Sequence, residues 1–210
     1  VVSQSRGAMM GVLFGLACMW VLSLRVRSGV LLIAACLAGL AVLLLANVDL
    51  SFLIDSSASI RNASGRLEIW THATELIGDF PFTGIGFGNF RAVTELFYPL
   101  LIAGREVGHA HNLLLQIAVD TGLTGLTVWL SCLLLVLVGC IRTWRLAGAN
   151  RDPLLAGMSA GLLCGQLTMM VHGLTDAPLW ATRPSMIVWG LWGLALALPA
   201  AGASITEIKG

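Results

Sequence analysis

The chain has 210 residues, of which 57% are hydrophobic and only 11% charged. Soluble globular chains carry about 45–50% apolar and about 25% charged residues. The excess therefore excludes a disordered chain, an ordinary cytosolic enzyme and a nucleic-acid binder working through basic patches. Net charge is +1, so no global field attracts an anionic partner, and where the few charges sit matters more than their sum.

A bilayer core about 30 Å thick takes about 20 apolar residues per helix. Residues 7–24, 29–46, 113–141, 154–171 and 185–203 qualify or nearly do. These runs do not alternate as barrel strands do, and a lipid-exposed backbone must satisfy its own hydrogen bonds. The predicted fold is an all-α polytopic membrane protein with about five transmembrane helices. Two helices fall in residues 1–46, a large outer loop in 47–112, three helices in 113–203 and a short inner tail in 204–210. Cys18, Cys36, Cys132, Cys140 and Cys164 all lie in apolar runs without a C-x-x-C pair, and read as small packing residues. The opening Val-Val-Ser-Gln-Ser-Arg has no Met and no signal-peptide n-region, so the chain is expected to be a piece of a longer protein.

Arginine placement gives the orientation. Arg25 and Arg27 fall in the first link, Arg142, Arg145 and Arg151 in the link between the third and fourth helices, and Lys209 in the tail. With alternating helices these share one side, read as cytoplasmic. Arg6, Arg61, Arg66, Arg91, Arg105 and Arg183 then fall outside, against the usual bias, and need a separate reason.

Within the outer loop, residues 64–79 read as an amphipathic helix. At 100° per residue, Trp70, Ala73 and Ile77 fall within about 40° of Arg66, while Glu68, His72, Glu75 and Asp79 gather opposite. Arg66 is thus expected on the apolar stripe, either snorkelling or turned toward an anionic partner. Pro81 stops this helix, and Gly84, Gly86 and Gly88 form a turn expected to pack on the membrane part. No strand precedes that run, so it is not a nucleotide loop.

His109-Ala-His111-Asn112 opens the third apolar run. Two histidines at i and i+2 on a helix face different ways, and no third ligand has recognisable spacing, so no metal site is expected. Asn112, Gln116 and Asp120 form a polar stripe leading inward, read either as a cavity lining or as interhelical hydrogen bonding. A histidine at its mouth has the pKa of a general base. His172, Asp176 and Arg183 follow on the same outer side. Arg6, Arg66, His111, His172, Asp176 and Arg183 can all reach one outer interface, where several guanidinium groups suit a phosphate or pyrophosphate or lipid headgroups.

Three pieces then resemble the C-terminal half of the O-antigen ligase and polymerase superfamily of bacterial membrane glycosyltransferases. They are Ser5-Arg6-Gly7-Ala8, Ser64-Gly-Arg66-Leu-Glu-Ile-Trp70 continued by Asp79-Phe-Pro-Phe-Thr-Gly84-Ile-Gly86-Phe-Gly88-Asn89-Phe90, and His111-Asn112 followed after nine residues by Gly122-Leu-Thr-Gly125. The resemblance implies a GT-C-like fold in the inner membrane, active on the periplasmic face. It implies transfer of a glycan from undecaprenyl pyrophosphate to a hydroxyl of lipid A core, a growing glycan or a protein, with inversion and without metal, cofactor or nucleic acid. Arg6 and Arg66 would hold the pyrophosphate and His111 would deprotonate the acceptor, with Asn112, His172, Asp176 and Arg183 lining the cavity. The usual ten to twelve helices of such enzymes make this chain about half of one. The alternative is a non-catalytic polysaccharide or lipid transporter or flippase subunit, resting on the polar stripe.

Overall fold

The computed structural model describes residues 6–23, 57–99, 107–177, 180 and 185–209, with backbone alone at 6, 57–64 and 200–209. All regular structure among these residues is helical. The elements are α1 (Arg6–Ser23), α2 (Ser57–Asp79), α3 (Phe90–Phe97), α4 (Leu113–Ala149), α5 (Pro153–Gly173) and α6 (Ser185–Lys209). Two of them, α4 and α5, are long and apolar enough to cross a membrane. The apolar run at 29–46 lies outside the described residues, as do Arg25, Arg27 and Arg105.

Helices α1, α4, α5 and α6 share one apolar core, which includes Cys18, Leu113, Ile117, Trp129, Val136, Cys140, Leu163 and Trp192. Cysteines 18, 140 and 164 are buried and unbridged, in keeping with packing roles. The one Gln of α5 is not left bare there: Trp192 of α6 donates its indole N–H to Gln166 Oε1 at 2.7 Å.

α1 lies against α5 through Gly7, Gly11 and Gly15, three glycines at helical spacing that let two backbones approach closely. A Cβ at Gly11 would stand 2.7 Å from the Thr168 carbonyl oxygen, and one at Gly7 or Gly15 would meet the hydroxyl of Thr175 or Thr168. α4 runs for 37 residues, about 55 Å, well past a hydrocarbon core. Arg142 and Arg145 therefore sit in its last turns rather than in a link, and only residues 150–152 join it to α5. Asp152 caps α5 by accepting the Leu155 N–H at 3.0 Å, with Pro153 in the first turn where its missing donor costs nothing.

α4 is broken near its start. Gly122 has φ 71 and ψ 179, a conformation open essentially to glycine alone. The Leu123 N–H, which a continuous helix would give to Val119, donates to the Pro81 carbonyl at 2.7 Å. The Val119 and Asp120 carbonyls accept from Ile85 (2.8 Å) and Gly86 (3.0 Å) instead. The glycine turn after α2 thus lies directly on the break. Gly84, at φ 62, and Gly122 each press backbone on backbone, and a Cβ on Gly122 would meet the Phe82 carbonyl group at about 2.5 Å.

A second, smaller core holds α2 and α3 on the head of α4. It is built from Ile69, Ala73, Leu76, Phe90, Val107, Ala110 and Val119. The buried stripe of α2 is Ile69–Ala73–Leu76. Arg66 is exposed, which corrects its expected place on the apolar stripe: it stands one turn before that stripe begins. The opposite face carries the exposed pair His72–Glu75, with Nδ1 2.8 Å from Oε2. Tyr98, just after α3, donates its hydroxyl to Asp79, which raises the tyrosine pKa through that bond first and burial second.

Two glycine substitutions test this packing. Gly11→Val should force α1 and α5 apart and cost about 1–3 kcal/mol, read as a lowered melting temperature in detergent. Gly122→Ala should cost more, because it meets both a forbidden backbone conformation and the Phe82 carbonyl. An unchanged melt for Gly122→Ala would contradict the backbone exchange at the break.

Candidate functional site

The site begins with a helix cap. Asn112 is extended (φ −154, ψ 124) and its Oδ1 accepts the Leu114 and Leu115 N–H groups at 3.0 and 3.1 Å. Helix α4 therefore starts at Leu113, and His109, Ala110 and His111 precede it. Ala110 is fully buried and held from both sides. Its N–H donates to Gln116 Oε1 at 2.6 Å, and its carbonyl accepts the Trp70 indole N–H of α2 at 3.0 Å. His111 takes a left-handed backbone (φ 48), uncommon outside glycine though favoured by histidine over bulky residues. Its own N–H donates to His109 Nδ1 at 3.2 Å, and the two rings lie 4.1 Å apart between centroids. The expectation that these histidines face different ways assumed a helix. Asn112 ends the helix before them, and the pair comes together.

Asp176 meets this pair from the end of α5. Its Oδ1 lies 3.4 Å from His111 Nδ1 and 3.9 Å from His109 Nδ1, and also accepts the Ala177 N–H at 2.9 Å. Asn112 fastens the two segments by donating its side-chain N–H to the Leu174 carbonyl at 3.2 Å. His172 is half-buried in the last turn of α5, where its ring edge would lie 3.2 Å from a Cβ on Gly7. Gly7 also abuts Thr175. Arg6, the first residue of α1, thus begins its helix beside the segment that carries Asp176. Arg183 lies outside the described residues.

The electrostatics favour a neutral imidazole at His111. Burial lowers its pKa below the ordinary 6.5, the neighbouring His109 and Arg66 lower it further, and Asp176 partly opposes them. Arg66 is exposed, yet its charge acts at the His111 ring.

Behind the histidines the expected polar stripe is bonded along its length. Gln116 Nε2 donates to Asp120 Oδ1 at 2.9 Å, and Trp180 donates its indole N–H to Asp120 Oδ2 at 2.7 Å. Trp180 also packs on Phe87 of the glycine turn, with centroids 5.1 Å apart. No buried side-chain N or O among the described residues lacks a partner. The stripe holds the site in place.

Sequence reading missed several residues here. Helical geometry points away from His109, and no local pattern marks Trp70 or Trp180 as braces, whereas the hydrogen-bonding alternative for Gln116 and Asp120 agrees with their bonds to Ala110 and Trp180. One signal was available: Asn112 is a strong cap residue directly before an uninterrupted apolar run, which places the His-x-His segment outside the helix. His109, His111 and Asp176 now present nitrogen and oxygen donors within 4.8 Å of one another, so the geometric ground for expecting no metal ligand set is gone. Chemically, a neutral histidine backed by a carboxylate and neighboured by a guanidinium can accept a proton from a hydroxyl while an anionic group is bound.

No curated protein matches the chain. A family model described as O-antigen ligase matches residues 1–130, which takes in α1, the Arg66 helix, the glycine turn, His111-Asn112 and the Gly122 break. With that match covering more than half of its length, the chain belongs to the O-antigen ligase family.

Proposed function

We propose that the chain is the C-terminal part of a multi-pass inner-membrane glycosyltransferase that moves a glycan from undecaprenyl pyrophosphate to an acceptor hydroxyl on the periplasmic face. Family membership supports the coarse statement, a glycosyltransferase-like protein of O-antigen or polysaccharide assembly. The observation that carries the finer one is the His111–Asp176 pair, at 3.4 Å, with the Arg66 charge acting on it.

In the proposed reaction the His111 Nδ1–H faces Asp176 and leaves Nε2 to accept the proton of the acceptor hydroxyl. The hydroxyl oxygen attacks the sugar C1, and the C1–O bond to pyrophosphate breaks with its electron pair leaving on the pyrophosphate. Attack opposite the leaving group inverts C1. Arg66, and Arg6 at the head of α1, would neutralise the charge that develops on that leaving group. Asn112 and His172 would position the segments around it, and Arg183 remains a candidate for the same anion. The acceptor, whether lipid A core, a growing glycan or a protein hydroxyl, is left to the rest of the enzyme. A transporter reading loses its motive, because Gln116 and Asp120 are spent on internal hydrogen bonds.

Complementation in cells lacking the intact protein tests this. His111→Ala should cut surface glycan by about 10²–10⁴-fold, the range of a lost general base, and Arg66→Ala by about 10²–10³-fold. Full glycan from both variants would refute the proposal. The pH profile has a fixed sign. The base works neutral, so the acid limb of kcat/KM should lie below pH 6.5, the ordinary histidine value. Asp176→Asn removes the one influence that raises the His111 pKa and should move that limb to lower pH. Arg66→Ala removes a lowering influence and should move it up. Trp70→Phe removes the bond to the buried Ala110 carbonyl and trims a contact with the small core; it should lower kcat and also lower the melting temperature.

A further inference from the structure

Three donor-bearing side chains converge at the mouth of the site from two separate segments. His109 Nδ1 accepts the His111 N–H at 3.2 Å; it is therefore unprotonated, and a metal at that nitrogen would displace this one bond. Asp176 Oδ1 stands 3.4 and 3.9 Å from the two Nδ1 atoms. Donors around one zinc ion lie about 2.0–2.2 Å from it and hence roughly 3.0–3.5 Å from each other, and the three donors here lie within 4.8 Å of one another, so side-chain adjustment of about an ångström would close the set. All three residues are half-buried: reachable from solvent, yet fixed by the Ala110 clamp and by the Asn112 bond to Leu174.

We propose that His109, His111 and Asp176 form a binding site for a borderline divalent transition metal such as Zn2+, with its remaining position open to water, and that occupancy opposes glycan transfer. Two imidazoles and one carboxylate suit zinc or its neighbours in the late first row, whereas Mg2+ and Ca2+ prefer oxygen donors. The metal takes an imidazole lone pair and the carboxylate that the proposed base needs. A metal-bound His111 is no longer held by Asp176 in the orientation for proton transfer. The binding stands on geometry alone; the inhibition rests on the function proposed above.

Isothermal titration of ZnCl2 into the chelator-treated chain in detergent tests the site. Saturable one-to-one binding is expected, with none for MgCl2. His109→Ala and His109→Gln should each weaken it by at least about tenfold, and melting curves establish that both are folded. His72→Ala, which alters only the pair with Glu75 and the ring contact with Tyr98, should bind as the unaltered chain does. Absence of saturable zinc binding, or unchanged affinity in both folded His109 variants, would overturn the site. In a glycan-transfer assay zinc should slow the unaltered enzyme, while His109→Gln should run at one rate with and without zinc. An unaltered enzyme that binds zinc at this site and transfers at an unchanged rate would overturn the inhibition. Full transfer by His111→Ala would instead sink the function proposed above and leave the binding arms to decide the site.

Discussion

A helix that breaks inside an apolar stretch leaves peptide groups that only another backbone can satisfy. That constraint governs the head of α4. Leaving a buried donor or acceptor unpaired costs about 1–3 kcal/mol, so the break at Gly122 persists only because the turn at residues 81–86 exchanges hydrogen bonds with it. The exchange requires backbone to touch backbone, hence glycine at 84 and at 122. Once the turn is fixed, the end of α2 is fixed with it. Trp70 on α2 can then reach the Ala110 carbonyl, and the histidines on either side of Ala110 have nowhere else to go. Position passes from an unusual dihedral to a pair of imidazoles through ordinary hydrogen bonds.

The same logic divides the polar groups into two sets. Gln116, Asp120, Gln166 and the indoles of Trp180 and Trp192 are saturated by one another. They rigidify the frame and offer nothing to a ligand. Asp176, His109 and His111 are only half-buried and meet at 3.4–3.9 Å, longer than firm hydrogen bonds. His109 Nδ1 and Asp176 Oδ1 each accept one backbone N–H, and His111 Nε2 is the nitrogen that the proposed function leaves for a substrate proton. A base held by a rigid frame but not itself saturated is what proton transfer requires.

Much of the frame was legible from hydropathy. The runs at 7–24, 154–171 and 185–203 appear as α1, α5 and α6 within a few residues at most ends, and α4 starts where expected. Its far end runs past the apolar stretch to Ala149, because an arginine such as Arg142 or Arg145 is a good helix former that can extend its charge past the apolar residues. The amphipathic helix was legible through its period, but Arg66 was placed by angle alone, which says nothing about where the facing core stops. The glycine stripe of α1 is not legible locally, because its partners, Thr168 on α5 and Thr175 just after it, lie some 150 residues away in sequence. In the site, residue types were legible and their grouping was not. His111 and Asp176 are 65 positions apart, and no local pattern brings them to 3.4 Å.

Charge placement then acquires a physical cause. An arginine read as lying on an outer face opposes the usual bias, and an anionic partner would give it a reason to persist. Arg66 sits exposed one turn before the core of α2 begins, and the clamp on Ala110 carries that helix to the His111 segment, so its charge is felt at the imidazole. Arg6 heads α1, and Gly7 next to it lets that helix approach Thr175, one residue from Asp176. Arg66 is therefore brought toward one carboxylate and one imidazole by packing that involves no charge at all. Under the function proposed above, a cation so placed stands where the charge of an anionic leaving group develops.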